Sequence, residues 1–415
     1  MTDADLDRSY RALLAVPSIP RILTGMTIAR IAGSMVSVAV ILFSLQKYQS
    51  PAITGLVTFF SLFPGMLLSP VMGALLDRHG RTRLVIIDYL IASSALVTIG
   101  LLDLAGSLPP WALILIVSIS SVTSPLSNAG LRTLLPILVP RHLWGLVNSV
   151  DANSFVVAQL LGPPIAGVLV QTVGGDVGLV LIGSLFGVAA LVTVGIPEPE
   201  MAAHTTGRLL VDAWQGLVYT WHNATLRALA ICMSALHFGA GVQAIVVPVI
   251  LLGRLHEGPA VVGLAWGLSA MASLVSGILF GRVDTLGRER KFLTASLTAT
   301  GLGMILLLPT PGLPLVLLAM VLTGILNTPG EITMFTLRQR RTDAAWMGRA
   351  FAISMALNFA GYPIGTVVAG ALAESSLTIA ILLGVVMCFV AGLLAWWLVP
   401  DHAPEPRHVA VPVKL

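Results

Sequence analysis

Hydrophobic and polar positions alternate along this chain on the scale of whole helices. Runs of about twenty apolar residues, each long enough to cross a hydrocarbon layer as an α-helix, are broken by short polar or basic stretches. The runs lie at about 21–45, 52–76, 84–105, 111–134, 145–171, 177–197, 226–251, 260–281, 291–309, 313–335, 347–372 and 376–399. None shows the short period-2 segments of barrel strands. The pattern predicts an all-α membrane protein with twelve transmembrane helices, spans 1 to 12. Span 1 follows a charged N-terminus without a small-residue cleavage site, so it is expected to stay in the chain.

Composition agrees with this. The 415 residues are 56% hydrophobic and 10% charged, against about 25% charged in soluble domains, and the mean hydropathy is +0.93. No water-soluble core absorbs that much apolar sequence. The net charge of +4 reads as topology. With both termini in the cytoplasm, 20 of the 23 Lys and Arg fall on the cytoplasmic side; Lys47 and Arg254 lie outside and Arg30 lies within a span. The basic balance therefore does not indicate a nucleic-acid partner. Cys232 and Cys388 both fall inside spans, with neither a disulfide framework nor metal spacing. No metal or cofactor is expected. Catalytic H-E-x-x-H and G-x-S-x-G motifs are absent, as is a nucleotide-binding G-x-x-x-x-G-K-[ST] loop, which argues against an enzyme and against direct ATP drive.

One charged loop occurs twice. Asp77, Gly80, Arg81 and Arg83 after span 2 recur as Asp284, Gly287, Arg288 and Arg290 after span 8, at an offset of 207 (284 − 77). Gly162-Pro163-Pro164-Ile165-Ala166-Gly167 in span 5 is echoed by Gly361-Tyr362-Pro363-Ile364-Gly365 in span 11, where Asn358 matches Gln159 at an offset of 199 (358 − 159). The chain thus reads as two pseudo-symmetric six-helix bundles, 21–197 and 226–399. A cytoplasmic segment precedes them at 1–20, a linker joins them at 198–225, and a proline-rich tail follows at 400–415. In the linker, Leu210, Trp214, Leu217, Val218 and Trp221 mark one face of a helix, which either packs on the bundle or lies at the membrane interface.

The stretch Gly73-Ala74-Leu75-Leu76-Asp77-Arg78-His79-Gly80-Arg81-Thr82-Arg83 resembles the loop between helices 2 and 3 of the major facilitator superfamily, G-x-x-x-D-R-x-G-R-[RK]. Thr82 stands where a basic residue is common, and Arg83 supplies the charge one place later. Residues 158–167 are similar to the helix 5 antiporter signature G-x-x-x-G-P-x-x-G-G, with Ala158 and Ala166 replacing two glycines. Leu134 to Arg141, followed by Val147-Asn148, is similar to the macrolide and multidrug efflux branch. Arg132 lies too near the cytoplasmic end to match the helix 4 arginine motif of proton antiporters. The resemblance covers nearly the whole chain. It implies the major facilitator fold, a small-molecule substrate, a monomer in a bacterial inner membrane, and spans 1, 4, 7 and 10 around a central cavity.

Candidate residues follow from chemistry and position. Gly73, Asp77, Arg78, Gly80, Arg81, Arg83, Asp284, Gly287 and Arg288 are read as a gate. A carboxylate there can cap an opposing helix, and arginines can pair with acids in one conformation only; plain positive-inside anchoring is the alternative. Gly162, Pro163, Pro164, Gly167, Gly361 and Pro363 let helices approach closely and kink, either as a seal or as simple packing. Arg30 and His237, themselves 207 apart, lie about 14 and 16 Å into spans 1 and 7 by the helical rise, near the middle of a core about 30 Å thick. Charge at that depth marks function by default. Arg30 either orients substrate or pairs with an acid; His237 either titrates or is a neutral packing residue. Asp151 and Glu331 are the embedded acids able to carry a proton or to neutralise Arg30, with Asp151 ranked first. Asn128 and Asn327 add hydrogen bonds, and Asp88 is read as a partner for the loop arginines. The expected function is proton-coupled efflux of amphipathic molecules, with transport of one dedicated metabolite or siderophore as the alternative.

Overall fold

The computed structural model describes residues 9–197, 209–308, 312–343 and 346–401; within these, the side chains of residues 74, 77, 209–213, 347–349 and 352 are not described. Each predicted span is helical. The first half is built from Ile19–Tyr48, the broken pair Pro51–Phe60 and Phe63–His79, then Arg81–Leu104, Pro110–Leu138, Trp144–Val173 and Gly175–Thr193. The second is built from Ala224–Pro248 with a π-helical extension Val249–Arg254, then Pro259–Phe280, Glu289–Ile305, Leu313–Arg340, the broken pair Met347–Phe359 and Gly361–Ser375, and Leu377–Leu398. Eleven of these segments are long and apolar enough to cross a membrane. The twelfth, span 9, has 17 residues and reaches about 26 Å at the helical rise.

The helix boundaries have local causes. Pro51, Pro110 and Pro259 occupy first helical positions, where the missing N–H is not needed. Ser50, Asn223 and Ser376 accept hydrogen bonds from backbone N–H groups of the first turn. The repeated loop glycines both have positive φ: 89° at Gly80 and 71° at Gly287. Positive φ explains why glycine recurs at the same place in both loops.

Spans 1 and 7 are the most enclosed of the membrane helices. Span 1 packs on spans 5 and 6, and span 7 on spans 11 and 12. Small residues set those distances. A side chain at Gly162 would meet Ser34 of span 1, and one at Gly361 or Gly365 would meet the Ser234 or Phe238 carbonyl of span 7. The echoed motifs of spans 5 and 11 therefore make equivalent contacts inside their own halves.

The halves themselves meet along two seams at the end opposite the charged loops. Gly167 of span 5 faces Gly263 of span 8, each where the other would carry a side chain, and Gly55 of span 2 lies against Thr366 and Gly370 of span 11. Ala260 N donates to Gln171 Oε1 (3.0 Å), and Ser50 Oγ donates to Glu374 Oε1. This far end is closed. At the basic end the linker helix Leu209–His222 packs on spans 7 and 11 and touches span 2. It turns Gly216, Tyr219 and Thr220 inward and leaves Trp214 and Trp221 exposed. The Tyr219 ring stacks on Trp346 at 4.8 Å. The Leu210 side chain lies outside the described residues.

Two alanine substitutions separate the glycines by role. Gly287→Ala meets no atom within 4 Å, so its cost is that of the left-handed backbone, about 1–2 kcal/mol. Gly73 is helical with equally open surroundings, and Gly73→Ala should gain up to about 1 kcal/mol. Thermal unfolding in detergent should show a lower midpoint for the first and an equal or higher one for the second.

Candidate functional site

The first half holds one charge cluster. Arg30 of span 1 donates through Nη2 to Asp151 Oδ1 (2.7 Å) and through Nη1 to the Asp151 carbonyl (2.8 Å) and the Ser154 hydroxyl of span 5. Arg132 Nε of span 4 approaches the other carboxylate oxygen, Oδ2, at 3.0 Å. Asp151 is buried, whereas the Arg132 side chain is 66% exposed. One oxygen of Asp151 accepts from Arg30 and the other is ion-paired with Arg132, so a proton there would compete with an arginine. Sequence reasoning named Arg30 and Asp151 but set Arg132 aside. The reason is a boundary: span 4 continues to Leu138, four residues past the predicted end, which carries Arg132 to the level of Asp151.

Beside this cluster lies a cavity of about 400 Å³. Its walls come from spans 1 to 6, with Tyr362 of span 11 closing one side. One part is apolar and aromatic, including Met26, Ile41, Tyr89, Phe155 and Phe186; another is rich in hydroxyls, including Ser37, Ser61, Ser120, Ser124 and Ser127. Arg30, Asn128 and Gln159 also face it. Gln159 accepts a hydrogen bond from Ser34 (2.9 Å). Asp88 lies on this wall too, away from the loop arginines with which the sequence grouped it. His237, Glu331 and Asn327 do not line the cavity.

The second half holds its own pair. His237 Nδ1 lies 2.8 Å from the Met233 carbonyl. A carbonyl only accepts, so Nδ1 carries the hydrogen. Nε2 then faces Glu331 Oε1 at 3.6 Å. A lone pair on Nε2 and an ionised carboxylate repel, so the contact is favourable only with a proton on one of the two. Phe359 of span 11 covers the imidazole, with ring centroids 4.4 Å apart. Two turns beyond Glu331 is Arg338, fully buried. Its guanidinium lies over the rings of Phe351 (5.0 Å) and Phe335 (5.7 Å) and against the sulfurs of Met334 and Met355. Among the described residues it has no carboxylate within 4.0 Å. Arg338 was not read as a candidate, since it lies past the predicted end of span 10 at 335, whereas the helix runs on to Arg340. Asn327 Oδ1 is buried without a hydrogen bond.

The Major Facilitator Superfamily model matches residues 22–236 and again 229–412. The chain belongs to that superfamily. A superfamily transporter of Sinorhizobium fredii, itself uncharacterised, is 33% identical over 398 residues, covering 95% of this chain and 98% of its own. Macrolide efflux protein A of Streptococcus pyogenes is 21% identical over 356 residues, 84% of this chain and 88% of its own. Among solved structures, a nucleoside transporter, NupG, superposes with a TM-score of 0.72 at 15% identity, over 90% of this chain and 99% of its own. The protein is a multi-pass membrane transporter, not an enzyme.

The superfamily's signature loop is only partly visible. The Asp77 side chain lies outside the described residues, while Arg78 and Arg83 are exposed. Arg81 donates to the Thr133 carbonyl of span 4 (3.0 Å). In the second loop, Asp284 Oδ1 accepts from Leu286 N (2.9 Å) and the Asp284 carbonyl from Arg288 (3.2 Å), so these two organise their own turn. The ties to other elements come from neighbours: Arg290 pairs with Asp401 (2.6 Å) and Arg340 with Glu289 (2.7 Å). Close by, burial pushes the Arg341 guanidinium down from its ordinary value, with Glu289 and Asp401 opposing the shift.

Asp151 is the keystone of the first cluster. Asp151→Asn leaves Arg30 in the membrane without its counter-charge and should cost about 3–5 kcal/mol, read as a large fall in the detergent unfolding midpoint. Arg132→Ala removes a mostly exposed partner and should cost about 1 kcal/mol or less. Gly263→Leu should force the far-end seam apart, and spin labels at Thr172 and Glu257 should then report a longer distance than in the parent protein.

Proposed function

We propose that this protein is a proton-coupled exporter of amphipathic small molecules, working by alternating access in a bacterial inner membrane. The carrying observation is the His237–Glu331 contact, an imidazole facing a carboxyl group at 3.6 Å away from the cavity, an arrangement that suits a shared proton. A cargo site in one half and a proton site in the other give an antiporter two occupancies to couple through movement of the halves. Asp151, named first as proton carrier, fits that role less well because both its oxygens serve arginines. With the basic end in the cytoplasm, as the distribution of Lys and Arg favours, the closed far end faces outward.

Export as the direction is supported by the span 5 signature and by the likeness to a macrolide efflux protein. The hydroxyl-rich part of the cavity wall favours a second reading, transport of one polar metabolite.

Everted vesicles acidified inside should accumulate exported compounds from a panel of amphipathic dyes and antibiotics, and each exported compound should release part of the proton gradient. Accumulation confined to right-side-out vesicles would reverse the direction. His237→Gln and Glu331→Gln should each flatten the dependence of transport on pH more than they raise KM. Among the described residues the other charged group near the pair is Arg338, on the same helix as Glu331 and unchanged in both variants. Profiles superimposable on the parent protein would leave His237 a packing residue.

A further inference from the structure

One buried carboxyl group on the cavity wall has no cationic partner among the described residues. Asp88 of span 3 is buried on its wall, and the Oδ1 atom makes no hydrogen bond. Neutral hydroxyls of Thr123 and Ser127 reach toward the carboxylate from span 4. Among the described residues no Lys, Arg or His comes within 4.0 Å of it. Arg30, the cation on the same wall, is already paired with Asp151. Arg132 lies on the far side of that pair, largely in solvent.

The hydroxyls point the same way. Ser37, Ser61 and Ser124 donate their hydrogens to the carbonyls of Ser34 (2.7 Å), Thr58 (2.8 Å) and Ser121 (3.0 Å). Their oxygens remain as acceptors, so this part of the cavity offers lone pairs and asks for donors. Tyr89, Phe155, Phe186 and Tyr362 contribute ring surface on the same cavity, which suits a cation with an apolar body.

We propose that Asp88 makes the cavity selective for cargo bearing a positive charge, such as a protonated amine or quaternary centre on an aromatic or aliphatic body. A buried carboxylate without an opposite charge is unfavourable; a cationic cargo supplies that charge, and a neutral or anionic one does not. This rests on the transport reading only in taking the cavity as the cargo site.

Tetraphenylphosphonium and tetraphenylborate have one shape and opposite charge, and their equilibrium binding to the purified full-length protein tests the proposal. The parent protein should prefer the phosphonium at least tenfold. Asp88→Asn should weaken phosphonium binding at least tenfold, the size expected for a lost charge-assisted contact, and leave the borate unchanged or tighter; Asp88→Glu should keep the preference. Bound phosphonium should also shield Asp88 of the parent protein from a hydrophobic carbodiimide, read by peptide mass spectrometry, which needs no variant. Equal binding of the two ions, full phosphonium binding by Asp88→Asn, or modification of Asp88 at saturating phosphonium would each overturn the proposal. The measurement involves neither gradient nor direction. Failure of export in everted vesicles with Asp88-dependent binding intact would remove only the efflux reading, and the converse only this one.

Discussion

A guanidinium in the middle of a membrane persists only where the protein provides its counter-charge, because the surrounding hydrocarbon offers neither water nor ions. The contact between Arg30 and Asp151 meets that requirement, and much of the first half is arranged by it. It fixes span 1 against span 5, brings span 4 in through Arg132, and sets the side of span 1 that faces the cavity. Ser34 and Gln159 extend the same interface one turn further on. Because Arg30 is neutralised from behind, it contributes to the cavity wall without giving the cavity a net positive charge. The character of the binding space is thereby left to Asp88, the serines and the rings.

The duplication is preserved in backbone and lost in charge. Gly80 and Gly287 both keep positive φ, and Gly162 and Gly361 keep the same close approach to the central helix of their half. Arg30 and His237 stand at the repeat offset of 207, yet their partners differ in kind. One is a permanent cation held by an acid on span 5; the other is a titratable ring beside an acid on span 10. A protein built twice from one plan can let its two copies diverge in side-chain chemistry, provided the backbone contacts that join the halves are kept. The seams of spans 5 with 8 and 2 with 11 are those contacts.

The fold was legible because it rests on long-range regularities: apolar run length, the bias of Lys and Arg, and two motifs repeated at nearly constant offsets. The site was legible in part. Depth along a helix singled out Arg30, His237, Asp151 and Glu331, since rise per residue is fixed. Depth says nothing about azimuth, so Asp88 was grouped with the loop arginines although its helix turns it toward the cavity. Arg132 and Arg338 were missed because spans 4 and 10 run on by several residues, to Leu138 and Arg340. The linker shows the same limit. Its amphipathic pattern was visible, but Tyr219 packs inward and the two tryptophans do not.

The far-end seams are made largely of backbone against backbone, at Gly167 with Gly263 and at Gly55 with Gly370. Such a joint has no rotamers to relock and, when parted, strands no carbonyl, because each is satisfied within its own helix. It works as a bearing rather than a bolt. The polar contacts across it are the bond from Ser50 to Glu374, that from Ala260 to Gln171, and a buried one from the Thr366 hydroxyl to the Gly55 carbonyl (3.4 Å). Water can replace the first two directly, and the third once the seam has parted, so little of this joint is held by groups that opening would leave unsatisfied. A joint of this kind resists sliding less than one built from interlocked side chains, so its hold depends on how closely the two backbones approach.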